Sequence, residues 1–259
     1  MSDIKEKCKK VMQKELYRGD CLEILKENPQ LLQRADLILA DPPYGMLNKK
    51  ASWDLIIDPQ EMWRLINENA KDTTPTVLFC MPPFSYLVIA NNVKNFKYKY
   101  YWEKTQATGF LNAKKQPLRN IEEIAVFYKK QPTYNPQMWK SDKLSHASVR
   151  RTEVSNRSTV YGDVLNDNVY EPKYDRYPTQ VLKFKSDKQL TSLHPTQKPV
   201  PLLENLIKTF TNEGDTVLDF CMGSGSTGEA ALKNGRNFIG IEKDENYYQI
   251  CLDRLKDFC

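Results

Sequence analysis

Two short stretches of this chain hold residue types that could do chemistry, and they lie near its opposite ends. Late in the chain, Val217-Leu218-Asp219-Phe220-Cys221-Met222-Gly223-Ser224-Gly225-Ser226-Thr227-Gly228 reads as a strand, a glycine turn and a helix start, and residues 237–241 form a second strand closed by Glu242. Gly223, Gly225 and Gly228 satisfy G-x-G-x-x-G, and Glu242 lies 19 positions after Gly223, where an acid can accept hydrogen bonds from ribose hydroxyls. A side chain at such a turn would hold the backbone away from a ligand, and the helix start offers unpaired N–H groups, so the block reads as a nucleoside-cofactor site. A tight βα turn that binds nothing has the same residues, and so does a dinucleotide site. Early in the chain, Asp41-Pro42-Pro43-Tyr44-Gly45 directly follows a buried apolar run. It offers a carboxylate, a carbonyl with no N–H of its own and an aromatic face. Alone it is ordinary turn chemistry; beside a nucleoside site it becomes specific.

The elements that must position these residues alternate. ADLILA at 35–40 and TVLFC at 76–80 are short apolar runs, each stopped by prolines, and both predict strands covered on two faces. EEIAVFY at 122–128 predicts a third strand. Between the first two, residues 59–69 place Met62, Leu65 and Ile66 at helical spacing. The rhythm returns late: a helix over 201–210, a strand over 216–220, a helix over 226–234, a strand over 237–241 and a helix over 246–258. The predicted fold class is α/β, a doubly wound, mostly parallel sheet. Residues 131–193 interrupt it with a polar, loop-rich stretch that mixes Tyr134, Trp139, Tyr161, Tyr170, Tyr174, Tyr177 and Phe184 with basic side chains. Such a stretch is too long for a simple connection.

Composition narrows the classes. With 259 residues and 40% hydrophobic content the chain can bury a core, and no apolar run approaches the roughly 18 to 20 residues of a membrane span. The six cysteines contain no C-x-x-C pair and only His146 and His194 could join them, so no metal site is predicted. Scattered thiols and the absence of an export signal lead to the expectation of a cytoplasmic protein. The net charge of +5 is concentrated centrally: residues 94–130 carry nine Lys or Arg against Glu103, Glu122 and Glu123. A basic strip of that kind suits a polyanion.

Four blocks in this order resemble a family: YRGDCL at 17–22, DPPYG at 41–45, HPTQKP at 194–199, and the glycine block at 219–228. They resemble the S-adenosylmethionine-dependent amino-methyltransferases of DNA in the permuted β-class order, with a Rossmann-like methyltransferase fold. That resemblance implies a catalytic half (1–130), a target-recognition insertion (131–193) and a cofactor-binding half (194–259). It implies double-stranded DNA as partner, a homodimer by family habit, and an enzyme that methylates adenine N6, since DPPY rather than Ser-Pro-Pro favours adenine over cytosine N4. A restriction endonuclease partner is not specified by the sequence. A nicotinamide-dependent oxidoreductase would leave DPPY and HPTQKP unexplained, and a DNA-binding module without activity would have no use for Asp41.

The resemblance places Asp41, Pro42, Pro43 and Tyr44 at the target amine. The amine of adenine is a poor nucleophile because its lone pair is delocalised into the ring. The Asp41 carboxylate and the Pro42 carbonyl could each accept one of its hydrogens, and Tyr44 could stack on the base for roughly 1 to 3 kcal/mol. For S-adenosylmethionine the resemblance implies Asp219, Phe220, Gly223 and Gly225 along the methionine side, Glu242 on the ribose, Asp20 and Cys21 near the adenine, His194, Thr196 and Lys198 near the carboxylate, and Asp41, Ser224, Ser226 and Thr227 as further cofactor-binding residues. Two departures stand out: Ile121-Glu122 where relatives often carry His-Glu, and Asp219-Phe220-Cys221 where Asp-Pro-Phe is frequent. With no long segment after the cofactor half, DNA recognition is expected from residues 131–193, from the basic strip or from a second subunit.

Overall fold

The apolar runs pair with one another in the middle of a single sheet. The computed structural model describes residues 12–45, 56–144, 173–186 and 197–258. In chain order the elements are β1 (Lys14–Arg18), α1 (Cys21–Glu27), α2 (Gln30–Arg34), β2 (Leu37–Ala40), α3 (Pro59–Asn69), β3 (Thr76–Cys80), α4 (Phe84–Ala90), β4 (Phe96–Thr108), β5 (Arg119–Phe127), β6 (Trp139–Lys140), β7 (Asp175–Arg176), β8 (Val181–Phe184), α5 (Val200–Phe210), β9 (Thr216–Asp219), α6 (Ser226–Lys233), β10 (Asn237–Glu242) and α7 (Glu245–Leu255). Helix starts follow local chemistry. Asp20, Asp58 and Asp244 each accept backbone N–H groups of the first turn of α1, α3 and α7, and Pro59 opens α3, where a missing N–H costs nothing.

The sheet has the order β1-β10-β9-β2-β3-β5-β4-β8. All neighbours are parallel except β3 with β5 and β5 with β4. Its side chains alternate between two cores. Leu37, Leu39, Val77, Phe79 and Val217 face α5, α6 and α7, whereas Ile38, Ala40, Leu78, Cys80 and Leu218 face α1 to α4. The layers are therefore helix, sheet, helix, as a doubly wound sheet requires.

The predicted elements are present with ends shifted by a few residues; β1, α1, α2, α4, β4 and the short strands β6, β7 and β8 were not predicted. The basic strip contains β4. Tyr100 and Trp102 are buried there while Lys97 and Tyr101 face outward, so one face of the strand is covered and the other is open to solvent. Val181–Phe184, inside the stretch expected to be an insertion, is β8, which pairs with β4. The chain divides into two compact units, residues 1–135 with 179–259, and Pro136–Pro178. In the smaller unit β6 pairs antiparallel with β7, the Trp139 indole donates to the Tyr177 carbonyl at 3.3 Å, and Arg176 donates to the Lys143 carbonyl at 2.6 Å.

Gly228 shows how tightly α6 is laid on the sheet. A Cβ there would lie 2.7 Å from Leu255 and 2.7 Å from Phe238. Helix propensity favours Gly228→Ala by about 1 kcal/mol, but overpacking a filled core costs about 1 to 3 kcal/mol, so packing decides the sign. Urea unfolding of Gly228→Ala is expected to give a lower midpoint at unchanged slope.

Candidate active site

Two loops that are distant in sequence leave one edge of the sheet side by side. β2 and β9 are parallel neighbours, with Leu37 opposite Val217 and Ile38 opposite Leu218, so Asp41-Pro42-Pro43-Tyr44 and the 220–225 turn emerge next to each other. From β9 the chain crosses to β10 through α6 on one face; from β2 it crosses to β3 through α3 on the other. Adjacent strands whose connections diverge in this way open a crevice at their carboxyl ends. Here it is a cleft of about 850 Å³, lined by Asp20, Cys21, Asp41, Pro42, Pro43, Tyr44, Lys198, Asp219, Phe220, Gly223, Ser224, Ser226, Thr227 and Glu242. Of the residues expected at the site, Gly225 lies in the turn behind the cleft wall. His194 and Thr196 lie outside the described residues.

On the side of the glycine turn, the Glu242 carboxylate accepts from the Gly223 and Asp244 N–H groups, each at 2.8 Å, and so clamps that turn to the end of β10. Burial raises its pKa against those hydrogen bonds. Gly225 has φ +79°, and a Cβ there would lie 2.6 Å from the Cys251 sulfur, so the turn needs glycine twice over. Asp20 caps α1 through Leu22 N at 3.0 Å and pairs with Lys243 at 3.1 Å. Burial works against its ionisation, but Lys243 and the capping N–H groups outweigh it and lower the pKa. Asp219, at the end of β9, is buried and accepts from Cys221 N at 3.0 Å and from the Thr227 side chain. Desolvation pushes its pKa up to about 7. The Cys221 thiol, hydrogen-bonded to Cys21 and largely desolvated in a half-buried residue, is held well above its ordinary range.

On the Asp41 side the carboxylate is held at both oxygens. Tyr44 OH donates to Oδ1 at 2.6 Å and Lys198 Nζ to Oδ2 at 2.5 Å. Lys198, expected beside the carboxylate of the cofactor, thus has its ammonium on Asp41, with Glu122 Oε2 3.6 Å away. Glu122 in turn pairs with Lys104. Burial disfavours the Lys198 charge, but Asp41 and Glu122 more than restore it, and its pKa is raised. Burial likewise opposes the Glu122 charge, and Lys198 with Lys104 reverses that effect and lowers its pKa. The Tyr44 ring stacks on Phe84 with centroids 5.5 Å apart, which fixes the face it offers.

Several residues of the site were given no role by the sequence. Lys104 and Glu122 meet across the β4 and β5 ladder, where Trp102 lies opposite Glu122 and Lys104 is the diagonal neighbour. Only knowledge of the register could have paired them. Arg254 of α7 donates to Glu229 at 2.6 Å and to Gln197 and the Ser224 carbonyl, each at 3.2 Å, so it ties the glycine turn to the HPTQKP segment. Gln197 stands inside a motif that had been noticed; Arg254 has no local signal.

Comparison with known proteins agrees with this geometry. M2.DpnII of Streptococcus pneumoniae, a type II methyltransferase, is 51% identical over 63 residues, 24% of each protein, so that match spans about a quarter of the relative. YhdJ of Escherichia coli (strain K12), a DNA adenine methyltransferase, is 29% identical over 93% of this chain and 82% of its own. The crystal structure of the M1.HpyAVI–SAM complex superposes with a TM-score of 0.64 at 25% identity, covering 94% of this chain and 99% of that one. The DNA methylase family model N6_N4_Mtase matches residues 35–253, which takes in both loops of the cleft, and the chain belongs to that family.

Proposed function

We propose that this protein transfers a methyl group from S-adenosylmethionine to the exocyclic N6 amine of adenine in double-stranded DNA, with the target base turned out of the duplex into the cleft. The observation that carries the reading is the convergence of Asp41 and the glycine turn on one crevice from adjacent parallel strands. The choice of adenine is supported by the tyrosine of DPPY and by the full-length similarity to a protein named as an adenine methyltransferase.

The residues present fit the cofactor. Glu242 keeps its carboxylate at the end of β10, where ribose hydroxyls can reach it, and the backbone N–H groups of Gly223, Lys243 and Asp244 leave one of its about four acceptor sites open. Asp219 is a buried acid whose ionisation a neighbouring cation would favour. When bound, S-adenosylmethionine supplies a methyl group already activated on a sulfonium. The chain's task is then to present the amine in line, and such positioning carries much of the rate.

Asp41 is suited to that task because Lys198 keeps a cation on it. An ionised carboxylate only accepts hydrogen bonds and has about four acceptor sites; Tyr44 and Lys198 use two, which leaves room for an amine hydrogen. The Pro42 carbonyl takes the second hydrogen. Held between two acceptors, the amine nitrogen is drawn toward a tetrahedral shape with its lone pair toward the methyl donor. Transfer from a sulfonium would leave the S–C electron pair on sulfur and the methylated nitrogen with a proton to lose, and the Asp41 carboxylate, already accepting that hydrogen, would pass it toward solvent. Flipping the base costs a few kcal/mol, which stacking on Tyr44 offsets in part. We assign recognition of the surrounding sequence to the 131–193 region, in which the Pro136–Pro178 unit exposes Trp139 and Tyr177.

Digesting DNA treated with the enzyme and labelled cofactor is expected to place the label in N6-methyladenosine; label in N4-methylcytosine would reassign the amine. Methylation-aware sequencing of DNA from expressing cells would then give the recognised site. Asp41→Asn should lower kcat by at least about a hundredfold, the scale of losing one preorganised electrostatic contact. The fold should survive, because Glu122 still faces Lys198, and a normal rate would remove Asp41 from the chemistry.

Asp219 gives a pH-dependent expectation. Its folded pKa of about 7 lies above the ordinary 3.8, so between those values the folded protein holds a proton that the unfolded chain has released. Stability without cofactor therefore falls as pH rises through that window. Asp219→Asn should flatten the fall, raise Tm at pH 8 and weaken S-adenosylhomocysteine binding by calorimetry. Undiminished affinity would show that the acid does not face the cofactor.

A further inference from the structure

The positive charge of residues 94–130 is not spread evenly once ion pairs are taken out. Lys99, Lys104, Lys129 and Lys130 face Glu123, Glu122 and Asp72. Lys114, Lys115 and Arg119 have no acidic partner among the described residues, and from 104 to 121 the sequence contains no acid at all. These cations surround the tip of the hairpin that joins β4 to β5.

That tip carries an apolar pair. After Gly109, at φ +94°, the chain makes a single 3₁₀ turn over Phe110–Asn112, which leaves Phe110 70% and Leu111 101% exposed. Two such side chains side by side on a protein surface have a use, because full exposure of a large apolar pair forgoes the stabilisation burial would bring. Their position says what the use is. Thr108 and Arg119 are register partners at the last rung of the hairpin and both line the cleft, so the tip begins where the cleft ends.

Resting on the function proposed above, we infer that Phe110 and Leu111 form a wedge that enters the base stack of duplex DNA and fills the gap left when the target base turns into the cleft. Apolar side chains inserted between base steps unstack them, and cations beside the wedge hold the two phosphate backbones against it. The reading commits the pair to DNA rather than to a second copy of the chain, because the surface around it is cationic.

The test uses two duplexes carrying the site found by sequencing, one with the target adenine paired and one with it opposite an abasic position. An unpaired base needs no wedge. The double variant Phe110→Ala with Leu111→Ala should lose about tenfold in kcat/KM on the paired duplex, equivalent to about 1.4 kcal/mol of the flipping cost. It should approach the wild-type rate on the abasic duplex. Phe110→Leu, which keeps an apolar wedge, should stay near wild type on both. Tm should not change, since the side chains touch little. Equal losses on the two duplexes, no loss on either, or a shift in oligomeric state by sedimentation velocity would overturn the wedge. Failure of the wild-type protein to methylate the paired duplex would instead defeat the underlying function.

Discussion

The parallel pairing of β2 with β9 is the contact on which everything functional depends. These strands come from opposite halves of the chain, and no covalent proximity brings Asp41 to the glycine turn. What holds them together is burial on both faces: Leu37, Ile38, Leu39, Val217 and Leu218 have no measurable exposure. Each such side chain contributes roughly 1.5 to 3 kcal/mol, so a handful of them outweighs any polar contact at the rim. A one-residue slip would exchange the two cores, sending Leu37 and Leu39 toward α1 to α4, which is why the register is firmly specified.

The second constraint is electrostatic. Asp41, Lys198, Glu122 and Lys104 form an alternating row of charges that runs from the cleft floor into the sheet edge. Buried charges of one sign would be expelled or neutralised; alternation favours the charged forms of Glu122 and Lys198 although burial opposes them. The row gives Glu122 a place in the site. It acts on the chemistry only through Lys198, by keeping that ammonium charged and aimed at Asp41. The glycine-turn side follows the opposite design. Asp219 has hydrogen-bond donors and, among the described residues, no cation against it.

The hairpin of β4 and β5 links these two designs to the outside of the molecule. Its stem supplies Trp102, Lys104 and Glu122 to the cleft, and its tip holds the unneutralised cations and the bare apolar pair. One antiparallel excursion thus serves the buried charge row at one end and the solvent at the other.

Much of this was legible in the residues. Strands buried on both faces announce themselves as unbroken apolar runs, and β2, β3 and β9 were read that way; the glycine turn and DPPY are local because turns are decided by a few neighbouring dihedrals. β1 and β4 escaped because neither is covered on both faces, so charged residues stand among their apolar ones and no unbroken run forms, and α1 and α2 are too short for a periodicity to emerge. β8 escaped because four residues in a polar stretch carry no signal until β4 gives them an edge. By itself the sequence determined which groups could accept an amine's hydrogens and which turn could approach a nucleoside, since those are properties of residue type. Tertiary structure alone decided that Lys198 lies on Asp41, that Glu122 and Lys104 stand behind it, and that the two motifs share one cleft. Those are distances between side chains far apart in sequence, and only the register of a folded sheet sets them.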